Sequence, residues 1–161
     1  VKDYRQSLIS GVQVYFYPLN LESANRMDIL WATLTGNSFD DFILSFKGRE
    51  IRFPFYKDGV GRFDFFEICG QMLGPGDYLA IVDAVRVLMV DNIPELSRSN
   101  FNEAKRFVTL IDAAYEAKIS LICSAATEPE MLYSEGEGSF EFERTASRLK
   151  EMQSKNWLNV I

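Results

Sequence analysis

Residues 86–126, RVLMVDNIPELSRSNFNEAKRFVTLIDAAYEAKISLICSAA, decide the fold. They read as strand, loop, helix, strand. Val87, Leu88, Met89 and Val90, with Val85 just ahead, form an apolar run with the pattern of a strand covered on both faces. Asn100 is placed to cap the next helix, with Glu103 three residues on, as in a capping box. Ala104, Phe107, Val108, Ile111, Ala114 and Tyr115 share one helical face. Residues 119–123 are a second short apolar run. Two buried strands joined by a helix predict a right-handed parallel crossover. The fold class is therefore α/β: a parallel βαβ core covered by helices.

Working outward, residues 12–17 (VQVYFY) read as a strand stopped by Pro18. Residues 22–34 read as a helix, with Ile29, Leu30, Trp31 and Leu34 as its apolar contacts. Residues 42–46 and 50–55 predict an antiparallel hairpin turning at Lys47-Gly48, its second strand half exposed. Asp58-Gly59 turns into a strand over 61–66. A helical turn is expected over 67–72 and a short helix over 77–84, with Pro75 tolerated near its start. Residues 128–133 predict one or two helical turns. SEGEGS at 134–139 is an acidic loop, and 142–152 a last helix turning Phe142, Leu149 and Met152 inward. The expectation is one domain over 1–161, with residues 1–66 rich in strand and hairpin and 67–161 carrying the α/β part.

The totals exclude several functions. The chain has 161 residues, enough for a sizeable core, and a net charge of −6. That balance argues against nonspecific binding to nucleic acid or anionic membrane. It has no histidine, the commonest general base and metal ligand. Its two cysteines, Cys69 and Cys123, lie far apart in apolar contexts and read as buried free thiols in a reducing compartment. No run approaches the ~20 apolar residues that cross a membrane. The opening VKDYRQSL lacks an initiator Met and reads as mid-protein, so a fragment is expected.

Four groups carry candidate chemistry. Asp91 follows an apolar strand, where a nucleotide hydrolase holds magnesium. Ser124 ends the neighbouring strand and would serve as a polar sensor, since α/β proteins place ligands at carboxyl strand ends. But Asn92 follows Asp91, not Glu, and no stretch matches the phosphate-binding G-x-x-x-x-G-K-S/T. The plain alternative is that Asp91 turns the chain. Arg144, Arg148 and Lys155 lie near one face of the last helix, with Glu151 between them. Arginines there either clamp a nucleotide phosphate or form a solvated face with an Arg148–Glu151 pair. Lys105-Arg106 with Asp112 fits an ordinary surface helix in which Glu103 pairs with Arg106. Glu135, Glu137, Glu141 and Glu143 are partly in a Gly-rich loop, too loose for a glycosidase pair or a metal site. Last, Phe42, Phe46, Phe53, Phe55 and Tyr56 offer an aromatic hairpin surface for a protein partner; core packing is the competing reading.

The tail FERTASRLKEMQS, residues 142–154, resembles the ending of the ZapE-like ATPases. DYR (3–5), YFYPL (15–19), FFEICGQMLGPGDYLAI (65–81), IPEL (93–96) and AKRFVTLIDAAYE (104–116) appear in the same order. The resemblance covers nearly the whole chain. It implies the carboxyl-terminal portion of an AAA+ P-loop ATPase that works with ATP and Mg, as a homo-oligomer, on a protein client such as a division-ring protein. The location it implies is cytoplasmic, or mitochondrial in a eukaryote. The phosphate-binding loop, the magnesium-site strand and the segment with the arginine finger are expected ahead of Val1, so the fragment alone is expected to be inactive. Lys105 stands where the family often has Arg, and Ala114 where a larger apolar residue is common. The resemblance gives weight to Arg144, Arg148 and Arg106 as nucleotide-sensing candidates, against a role in fastening the last helix.

Overall fold

The computed structural model describes residues 13–134, 139–154 and 157. In chain order these form β1 (Tyr15–Phe16), α1 (Leu21–Thr35), β2 (Phe42–Phe46), β3 (Arg49–Phe53), β4 (Phe55–Lys57) and β5 (Val60–Asp64). Then come α2 (Phe65–Ile68), α3 (Pro75–Asp83), β6 (Val87–Ile93), α4 (Phe101–Ala117), β7 (Ser120–Ala125) and α5 (Ser139–Glu151). Short 3-10 turns at Arg98–Asn100 and Pro129–Met131 precede α4 and α5.

Among the described residues the main sheet has the order β1-β7-β6-β5-β4. β1, β7, β6 and β5 run parallel, and β4 adds an antiparallel edge. The two runs of the opening stretch pair as expected, from Val87 opposite Ser120 to Val90 opposite Cys123. Every residue of β7 is buried, as are Val87 to Val90 of β6. Since successive side chains point to opposite faces, both faces of these strands are covered. α1 packs on β7, and α3, α4 and α5 pack side by side. Phe65, Tyr78 and Phe107 are among the largest fully buried side chains. Phe107 lies 5.9 Å from Phe65 and 6.2 Å from Phe142 between ring centroids, so it ties α4 to α2 and α5.

The hairpin β2–β3 forms its own two-stranded sheet, in register from Phe42↔Phe53 to Phe46↔Arg49. Its second strand is half exposed, with Ile51 and Phe53 buried and Arg49, Glu50 and Arg52 outward. A Cβ at Gly61 would stand 2.9 Å from the Phe53 ring, so only glycine lets β5 approach the hairpin this closely.

Several local expectations are overturned. β1 is Tyr15–Phe16, with Val12 outside the described residues. Ile29 is exposed, although the other three apolar residues named on α1 are buried. Phe65 and Phe66 are helical: Asp64 accepts from the Phe66 N–H while Glu67 accepts from the Asp64 N–H, and that box ends the strand. α3 begins at Pro75, two residues earlier than expected, because proline at the first helical position loses no bond. Asn100 makes no side-chain cap for α4; its amide instead binds Ser97 N–H and Glu95 O, building the preceding turn. Leu110 and Ala113 join the buried face of α4, while Val108 and Tyr115 are only partly covered. Residues 135–138 of the acidic loop, with Glu135 and Glu137, lie outside the described residues, as does Lys155. No helix among the described residues is long and apolar enough to cross a membrane.

Truncating the ring at the junction of three helices tests this packing. Phe107→Ala should destabilise the fold by about 3–5 kcal/mol in urea unfolding; a cost under about 1 kcal/mol would mean that the ring does not hold α2, α4 and α5 together.

Candidate functional site

Two polar clusters stand on this scaffold. The first joins α4 to α5. Asp112, four residues before Glu116 on α4, accepts from Arg148 through one carboxylate oxygen and from Arg144 through the other, the latter at 3.1 Å. Arg148 also approaches Glu116 at 3.9 Å and lies over the Tyr115 ring, 4.4 Å from its centroid. The Tyr115 hydroxyl donates to Glu151 at 2.8 Å, and this bond raises the phenol pKa. The Tyr115 ring stacks on Trp157, whose indole N–H reaches Ile119 O at 2.9 Å. So the expected Arg148–Glu151 pair is replaced by Arg148–Asp112, with Glu151 engaged by Tyr115. The two arginines differ in cover: the Arg148 side chain is 22% exposed and that of Arg144 is 59% exposed. Arg106 belongs to neither partner set. It donates to Cys69 O at 3.1 Å, holding α4 to the end of α2 instead of pairing with Glu103.

The second cluster sits at the carboxyl ends of β5 and β6. Asp91 does not turn the chain. β6 runs on to Ile93, and Asn92 adopts a left-handed φ of 64° at the bulge between Val90 and Ile93. Arg62, on β5, grips Asp91 with two bonds of 2.7 and 3.0 Å and reaches Asp28 of α1 at 2.9 Å. The Arg62 and Asp91 side chains are only 15% and 16% exposed. Burial alone would lower the Arg62 pKa, but the bonds to Asp91 and then Asp28 outweigh it and the net direction is up. Asn92 donates to Asp64 at 2.7 Å. Ser124 is buried, and its hydroxyl accepts from the Asn92 N–H at 2.9 Å, so it fixes the bulge. Asp91 and Ser124 thus lie near the carboxyl ends of neighbouring strands, but each is taken up by a structural partner.

Among the described residues neither cluster is arranged to hold a triphosphate. The loop after β1 leads into α1, where a phosphate would need free N–H groups and a cation. Asn20 already accepts from the Ser23 N–H, and Glu22 puts a negative charge in the first turn. Among the described residues no group of three or more Cys, Asp or Glu is placed to hold a metal ion.

Arg62 and Tyr115 went unseen in the sequence. Alternation marks Arg62 as an outward strand residue, and no local signal reports that strand register puts Asp91, 29 residues on, beside it. Tyr115 reads as one more apolar contact of α4. Of the hairpin aromatics, Phe53 is buried and Phe42 stacks on Tyr56 at 4.2 Å, so these rings serve packing; Phe55 is exposed. Both thiols are free and buried, and burial pushes them up; at Cys69, Tyr78 and Arg106 pull the other way.

Residues 1–160 match the sequence profile of the AFG1-like ATPases. The chain is 29% identical to the cell division protein ZapE of Escherichia coli over 157 residues, which cover 97% of this chain and 42% of that protein. It is 26% identical to lactation elevated protein 1 homolog B of Danio rerio, over 90% of this chain and 36% of that one. An uncharacterised protein of Schizosaccharomyces pombe is 26% identical, over 98% of this chain and 41% of its own length. The chain thus spans less than half the length of these relatives. No solved structure matches it.

Burial decides which partner of Arg62 matters. Asp91→Ala should cost about 3 kcal/mol in denaturant unfolding, because it leaves a largely buried cation short of its counter-charge. Asp28→Ala should cost under about 1 kcal/mol, since that carboxylate is 68% exposed. Equal costs would contradict the assignment. The thiols predict a pH effect of known sign. Cys69 and Cys123 hold their protons more tightly folded than unfolded, so their stabilisation is complete below the ordinary thiol value. Stability should fall as pH climbs above about 9, and a flat profile to about pH 10.5 would refute it.

Proposed function

The chain belongs to the AFG1-like ATPase family, and from that premise we propose that it is part of an AAA+ protein that hydrolyses Mg-ATP and uses the energy on a protein partner. The phosphate grip in this reading comes from residues outside the chain, because no stretch of it matches the phosphate-binding loop and the α1 terminus is capped by Asn20. The chain's own contribution is to pass nucleotide state on to the rest of the molecule through Arg144. The observation that carries this is the contrast within one seam. Asp112 holds both arginines, yet Arg148 is spent on Asp112, Glu116 and Tyr115, while more than half of Arg144 stays open to an incoming phosphate. Guanidinium binds phosphate bidentately, so Arg144 can leave Asp112 for a nucleotide held by another part of the protein or by a neighbouring subunit. Arg148 fastens α5 to α4, and Arg106 fastens α4 to α2.

By its name the bacterial relative acts in cell division, and we extend to this chain only the coarser idea of a protein client. Assembly into a homo-oligomer and a reducing compartment, cytoplasmic or mitochondrial, belong to the same proposal; the free thiols Cys69 and Cys123 support the compartment.

The test is made in the full-length protein. Arg144→Ala should keep the melting temperature and lower ATP turnover at least tenfold, at the cautious end of what an arginine acting on phosphate contributes. Arg148→Ala should instead cost about 1–3 kcal/mol of stability, with turnover following the folded fraction. A folded Arg144→Ala protein with normal turnover would overturn the assignment.

A further inference from the structure

A surface apart from the α4–α5 seam runs between α1 and the β4–β5 edge. One part is a concavity of about 660 Å³ whose walls include Ile29, Phe39 and Phe55. The Phe55 ring meets Phe39 at 5.0 Å and Trp31 at 6.0 Å, both edge-on. Ile29 is 60% exposed, Phe39 54% and Phe55 41%. Three large apolar side chains left open in one hollow are unusual for a surface with nothing to cover it. Asp28, Phe55 and Arg62 also line a second cavity of about 340 Å³, so the two adjoin.

The second cavity has the opposite character. Asp28, Asp64, Glu67 and Asp91 line it with one cation, Arg62. Arg62 is already committed to Asp91 and Asp28. Asp64 and Glu67 accept backbone N–H bonds at the start of α2, and among the described residues neither pairs with a cation. Four carboxylates against one guanidinium leave an excess of negative charge at this end. An aromatic hollow that opens onto it is complementary to one class of ligand.

We infer that this groove docks a peptide segment of a partner protein in which a lysine or arginine lies close to a leucine or phenylalanine. The apolar side chain covers Ile29, Phe39 and Phe55. The cation meets Asp28 and Glu67, in a cavity whose negative charge Arg62 only partly offsets. Nucleic acid and anionic lipid are repelled by the same charge. The inference does not depend on Arg144, so the two stand or fall separately.

The probe is a fluorescein-labelled, amidated pentapeptide, Lys-Leu-Phe-Arg-Leu, titrated with the full-length protein by fluorescence anisotropy. Binding with a Kd at or below about 100 µM, weakening as salt is raised, is expected. Asp28→Asn with Glu67→Gln should weaken it about tenfold, as should Ile29→Ser with Phe39→Ser. All four side chains are exposed, so each variant stays folded, with its melting temperature moved by a few degrees at most. The charge-reversed peptide Glu-Leu-Phe-Glu-Leu should not bind. No saturation by about 1 mM, equal affinity of the charge-reversed peptide, or unchanged affinity in both folded double variants would each overturn the assignment.

Discussion

Burial of β6 and β7 on both faces is the constraint from which the rest follows. Two adjacent parallel strands with no face in water need helices above and below, and each buried aliphatic residue among them contributes about 1.5–3 kcal/mol. α4 links them, α1 packs on β7, and α3 and α5 lie beside α4. Once these layers are in place, the carboxyl ends of β5, β6 and β7 come together, and the polar residues there must find partners within the fold. Arg62, Asp91, Asn92 and Ser124 do so.

That satisfaction explains why a motif-like pattern can mislead. Asp91 after an apolar strand, with Ser124 ending the next, is an arrangement a nucleotide hydrolase can use. Here the carboxylate is gripped through two bonds by Arg62, and the hydroxyl holds a backbone N–H at the bulge. A largely covered cation and anion in such contact stabilise each other and leave little capacity for a metal ion. The chemistry-bearing residue types are present, but their bonds turn inward.

The α4–α5 seam is arranged differently. Asp112 divides its two oxygens between two arginines of unequal exposure. A carboxylate shared in this way keeps the charge of both guanidiniums local while leaving Arg144 the weaker, more solvated bond. In the reading proposed above, fastening falls to Arg148 and sensing to Arg144, two positions one helical turn apart.

The parallel crossover was legible in the sequence because strand and helix differ in apolar period, and 86–126 shows both periods plainly. The hairpin at Lys47-Gly48 was legible for the same local reason. The order of the relatives' motifs, from YFYPL to FERTASRLKEMQS, likewise lay in the linear text. What only the tertiary structure decided were the partnerships. Strand register sets Arg62 beside Asp91, helix packing turns Arg144 and Arg148 toward Asp112 and away from Glu151, and α1 meeting the sheet edge opens a groove at Phe39 and Phe55. Periodicity reports which face a residue takes along its own element. Which residue of another element stands opposite is set by three-dimensional packing.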